Sequence, residues 1–87
     1  MRFQLGKLVA TPAVLAAVPS NVIDLCVTRH LSGDWGDMSD TDKQTNEQAL
    51  KDGNRLFSAY QVRADTRIWI ITEADRSATT VLFPEEY

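Results

Sequence analysis

The side chains best suited to chemistry fall in two short stretches. The first is His30-Leu31-Ser32-Gly33-Asp34-Trp35-Gly36-Asp37, in which one imidazole and two carboxylates share a loop between glycines. His30, Asp34 and Asp37 could together bind a divalent metal, or act as a general base and its orienting partners. The bland alternative is that His30 closes a helix with its ring hydrogen-bonded, while the aspartates accept backbone N–H groups in turns. The second stretch is Glu73-Ala74-Asp75-Arg76-Ser77, with Thr79 and Thr80 beside it. Arg76 could hold a carboxylate or phosphate bidentately, or pair with Glu73 or Asp75 and fix a turn. Trp35 and Trp69 are candidate contact residues, because Trp is enriched where binding energy concentrates; in so short a chain either could equally serve the core.

Arg67–Glu73 and Ala78–Phe83 read as two strands joined by the polar turn Ala74–Ser77. Ile68 and Ile70 point to one face and Trp69 and Ile71 to the other. A strand apolar on both faces is expected to be central and covered on both sides, by the N-terminal segment, the Trp35 loop or another copy of the chain. Arg55–Val62 is the preceding strand, and Phe3–Val9 alternates loosely enough to be a fourth. Three helices lie between them. Thr11-Pro12 supplies an N-cap and a first-turn proline, with Pro19 as the stop. Ser20 opens a second helix whose apolar face is Val22, Ile23, Cys26, Val27 and His30. Ser39 opens a third, with Asp40 and Asp42 in its first turn and Gly53 beyond its end. The order is strand, three helices, three-strand meander. The expected fold is α+β, an antiparallel four-stranded sheet with the helices packed on one face.

Eighty-seven residues fit one domain, residues 1–87, with a small core and no deep cavity. A buried cofactor is therefore not expected, although the size leaves room for a surface or dimer-interface cleft. A net charge of −3 with scattered arginines argues against a nucleic-acid partner, which would require clustered cations. Cys26 is the only cysteine, so neither a disulfide nor a thiolate metal cage can form within the chain, and a single histidine excludes a two-histidine zinc site. The apolar run Leu8–Val18 behind Arg2 and Lys7 has the outline of a signal peptide, but Thr11-Pro12 interrupts it; a cytoplasmic, membrane-free protein is expected. No nucleophile elbow, phosphate loop or Cys–His pair is present.

The segments His30-x-x-Gly33-Asp34-Trp35-Gly36-Asp37, Leu56-x-Ser58-Ala59-Tyr60 and Ile68–Ser77, with the ending Pro84-Glu85-Glu86-Tyr87, resemble a family of small bacterial proteins found on plasmids and integrated elements. Its members are labelled plasmid-related proteins or type I restriction subunits. The resemblance covers most of the chain from His30 onward. It implies a role in element maintenance or in countering host defence. It does not imply a methyltransferase, for which this chain has neither the cofactor-binding domain nor a catalytic motif.

Two functional expectations follow. The leading one is a non-catalytic protein-interaction module, an accessory or anti-defence protein of a mobile genetic element. Its partner is another protein, or a second copy of the chain as a homodimer, and its contact residues are Trp35, Trp69, Asp34, Asp37 and Arg76. The alternative is a small metal-dependent or acid–base hydrolase using His30, Asp34, Asp37 and Glu73.

Overall fold

The computed structural model describes residues 2–87. The elements are β1 (Lys7–Ala10), α1 (Pro12–Ala17), α2 (Ser20–Leu31), α3 (Asp40–Asp52), β2 (Leu56–Arg63), β3 (Thr66–Thr72), β4 (Ala78–Leu82) and a closing 3-10 turn at Pro84–Glu86.

The helix boundaries follow local chemistry. The Thr11 hydroxyl accepts from the Val14 N–H, and the Ser39 hydroxyl accepts from the Asp42 N–H at 3.1 Å. Gly53 takes a left-handed conformation (φ 72°) and returns its N–H to the Ala49 carbonyl, closing α3. Ser20 is the first helical residue of α2 and Pro19 its N-cap, with no side-chain cap. Ser20 thus opens the helix from its first position without capping it, and the rigid Pro19 backbone precedes it.

The sheet is four-stranded in the order β1-β4-β3-β2. β2, β3 and β4 form the expected antiparallel meander, but β1 lies parallel to β4, with Leu8 opposite Thr79. The sheet is thus mixed, which corrects the expectation of a purely antiparallel one. A parallel neighbour needs a long connection, and the whole stretch from Thr11 to Ser77 supplies it. β1 is also shorter than the Phe3–Val9 alternation suggests. Residues Arg2 to Gly6 form an arm that crosses to α2, where the Arg2 N–H donates to the Leu31 carbonyl at 2.9 Å.

Alternation divides the sheet. Ser58, Tyr60, Ile68, Ile70, Thr72, Thr79 and Val81 point to one face and are all buried. That face packs on Val14 and Val18 of the α1 segment and on Ile23, Cys26 and Val27 of α2. At ~25 cal/mol per Å2 of apolar area removed from water, this layer is the main source of stability. A smaller cluster of Trp35, Ala49 and Leu56 joins α3 to the end of β2. The opposite face carries Phe57, Ala59, Trp69, Ile71, Thr80 and Leu82. Its cover is the C-terminal turn, whose Tyr87 ring meets Trp69 edge-on at 5.8 Å.

Candidate functional site

His30 sits on the buried face of α2, as its helical spacing predicts, and is 0% exposed. Its Nδ1 is 2.5 Å from the Ser58 hydroxyl and its Nε2 is 2.9 Å from that of Thr72. Thr72 continues to Thr79 at 2.8 Å, and Thr79 donates to the Leu5 carbonyl at 2.8 Å. That carbonyl can only accept, so it fixes the direction of the whole chain. Thr79 gives its hydrogen to Leu5, Thr72 gives its own to Thr79, and Thr72 must therefore accept from His30 Nε2–H. Both nitrogens are occupied, and burial keeps the ring neutral, so with its one hydrogen on Nε2 it leaves Nδ1 to accept from Ser58. Burial, reinforced by the Arg76 charge, lowers its pKa to about 4. Phe3 and Trp35 close over it edge-on, their centroids 5.2 Å and 5.7 Å away.

The aspartates of the neighbouring loop serve the fold. Asp34 takes a fork from Arg29 (Nε at 2.6 Å, Nη2 at 3.2 Å) and the Gly36 N–H at 3.2 Å. The Arg29 hydrogen bonds hold its carboxyl below the ordinary range. Asp37 donates its N–H to the Ala59 carbonyl at 2.7 Å, and its carboxylate accepts the Gln61 N–H at 3.0 Å. Ala59 N–H donates to the Trp35 carbonyl at 3.2 Å. One step along, the Asn46 side chain accepts from Phe57 N–H at 3.0 Å and donates to its carbonyl at 2.6 Å. The loop and Asn46 together stand in for a missing strand on the outer edge of β2, and so protect it from pairing with other chains. Gly36 (φ 77°) permits this: a β-carbon there would collide with the Ala59 carbonyl oxygen and come within 2.7 Å of the Tyr60 ring. Trp35 is 3% exposed, with its indole N–H donating to Glu47 at 2.9 Å, so it anchors the loop in the core and does not present a contact surface.

Arg76 is the one described non-glycine residue with a positive φ, 61°. Its guanidinium donates to the carbonyls of Asn54 (2.6 Å), Glu73 (3.1 Å), Ala74 (3.2 Å) and Ala49 (3.2 Å). It caps the C-terminal end of α3 and ties the β3–β4 turn to it, rather than pairing with Glu73 or Asp75. Glu73 faces Arg55 across 3.4 Å on the surface. Among the described residues, no group of three or more His, Cys, Asp or Glu side chains is placed to hold a metal ion.

An open groove of about 470 Å3 lies behind the sheet, between the first turns of α3 and the second face. Phe57 and Trp69, whose centroids are 4.8 Å apart, line it together with Asp37, Asp42, Arg55 and Arg67. Among the described residues, the Arg67 side chain is held by a single 3.3 Å bond to Gln61. Of the residues nominated from sequence, Trp69 and Asp37 reach this groove; His30, Asp34, Trp35, Glu73 and Arg76 lie elsewhere. Phe57, Arg55, Arg67 and Asp42 were not nominated. The shared alternation of Phe57 and Ala59 with Arg67 and Trp69 was the available signal, but only the strand register turns it into one surface.

No helix among the described residues is long and apolar enough to cross a membrane. In comparisons with known proteins the chain matches no family model, no curated protein and no solved structure.

Proposed function

We propose that the protein is a non-catalytic interaction module that binds a protein partner in the groove behind the sheet. One observation carries the reading. The imidazole, carboxylate and guanidinium of His30, Asp34 and Arg76 are consumed by internal bonds, while Trp69 and Phe57 floor an open groove with Arg67 almost unengaged. Aromatic floors with a flanking arginine suit an inserted apolar side chain with a neighbouring acidic group. The hydrolase alternative needs an accessible His30, and no observation favours it. The accessory or anti-defence role for a mobile genetic element rests on the family resemblance and names a setting for the module.

The test is parallel capture from the native host with tagged wild type, Trp69→Ala and Arg67→Glu, followed by titration of the purified partner. The expected result is one stoichiometric partner, lost in both variants while their circular dichroism is unchanged. Undiminished binding by both variants overturns the groove assignment. Metal-stimulated phosphate-ester hydrolysis that disappears in His30→Gln overturns the non-catalytic reading.

A further inference from the structure

The two outer edges of the sheet are treated differently. The β2 edge is covered by Asn46 and the Trp35–Asp37 segment, whereas β1 pairs with β4 alone. Lys7 and Thr11 send their N–H groups to the Ser77 and Val81 carbonyls of the β4 side. By the alternation of a parallel ladder, Leu8 and Ala10 direct their N–H and C=O groups outward. Three of the large apolar residues most exposed to water gather here: Leu8 is 46%, Val9 38% and Leu15 61% exposed. Leu8 and Leu15 also line one cleft of about 320 Å3 with Ala10 and Ile23.

We infer that β1 is a self-association edge, and that its occupant is β1 of a second copy of this chain, antiparallel about a two-fold axis at Leu8. The register follows from three constraints. Residues directly opposite must share a face, so their numbers must sum to an even value. The outward backbone groups belong to even-numbered residues, so even residues must pair with even; axes at Leu8 and at Val9 both allow this, and only the first sets the exposed Leu8 side chains against each other. Leu8 opposite Leu8 satisfies both, exchanging two backbone hydrogen bonds and joining the two leucine side chains over the mouths of the clefts. Ala10 then faces Gly6 of the second copy, where no side chain obstructs.

The third constraint is charge. In this register Lys7 lies opposite Val9 and diagonal to both Thr11 and Lys7 of the second copy, so no cation stands directly opposite another. Thr11 donates its hydroxyl to the Glu86 carboxylate at 2.8 Å, on the same face as Lys7. The ammonium of each copy therefore comes within reach of the C-terminal carboxylates of the other, twice by symmetry. The axis runs perpendicular to the sheet, so both second faces turn the same way. The dimer stands on the β1 edge alone; that it displays two partner grooves side by side rests on the groove reading above.

The experiment is sedimentation equilibrium and light scattering of the full chain over a wide concentration range, with Leu8→Glu and Lys7→Glu alongside. The wild type is expected to dimerise. Leu8→Glu, which sets two carboxylates against each other on the axis, is expected to weaken self-association roughly 100-fold with an unchanged circular dichroism spectrum. A strictly monomeric wild type, or a dimer indifferent to Leu8→Glu, overturns the inference. Should Leu8→Glu fail to fold, amide exchange of the wild type decides. Concentration-dependent protection of the Leu8 and Ala10 amides supports the edge, and concentration-independent exchange refutes it. Monomeric Leu8→Glu that still binds a partner through Trp69 separates this inference from the groove proposal.

Discussion

Lowering the pH should unfold this protein through His30 before it does so through any carboxylate. In the folded chain the imidazole is neutral and buried, with a pKa of about 4 against an ordinary value of 6.5. A depressed histidine pKa means that the unfolded state binds the proton first. Stability is therefore complete above pH 6.5 and falls as the pH drops from there toward 4. One proton per molecule gives a slope approaching 1.36 kcal/mol per pH unit, so roughly 2 kcal/mol is lost between about pH 7.5 and pH 5. Glu47, whose carboxyl is held near 2 by hydrogen bonds from Arg2 and Trp35, loses its contribution only below about 4.5, so the upper window belongs to His30. The assay is urea unfolding at several pH values, followed by tryptophan fluorescence, to which Trp35 contributes with its ring 5.7 Å from the imidazole. His30→Gln can still accept from Ser58 and donate to Thr72, and it should be less stable near neutrality but flat across this window. Equal slopes for wild type and His30→Gln, or a His30 pKa near 6.5 by NMR titration, would refute the neutral, desolvated imidazole.

Three further outcomes are expected. Arg76→Ala strips four carbonyls of a charged donor and should cost about 1–3 kcal/mol by chemical denaturation. Arg76→Gly should recover roughly 1 kcal/mol of that, because glycine accepts the positive φ without strain. Asn46→Ala, at a site 3% exposed, leaves the Phe57 N–H and C=O unpaired and should cost about 1–3 kcal/mol, with faster exchange of the Phe57 amide as its local signature. Gly36→Ala should lower the melting temperature by more than either, since both the left-handed backbone and the Ala59 carbonyl oppose a β-carbon; an unchanged melting temperature would show that the loop does not hug β2.

The helix ends were legible in the sequence because capping is local. The hydroxyls of Thr11 and Ser39, the first-turn Pro12 and the left-handed Gly53 act within four residues of where they stand, as does the spacing that turns His30 inward beside Cys26 and Val27. The β2–β3–β4 meander was legible for the same reason, since short polar turns join apolar alternations. The direction of β1 was not. It depends on a partner seventy-one residues away (Leu8 opposite Thr79), and nothing in four residues of strand records which way that partner runs. The site residues divide along the same line. Residue type alone nominated His30, Asp34, Asp37 and Arg76 for chemistry, because their side chains are reactive wherever they stand. Whether such a group faces a ligand or a backbone carbonyl is set by what the rest of the chain brings to it. Ser58 and Thr72 filled the valences of His30, and Ala49 and Asn54 helped to fill those of Arg76. Local residue chemistry was enough to define the element order, the caps at Thr11, Ser39 and Gly53 and the faces of the meander strands, though not the start of α2 or the extent of β1. Only the tertiary structure decided which polar groups were satisfied from within and which sheet edge was left open, because hydrogen-bond satisfaction is a property of distant segments meeting.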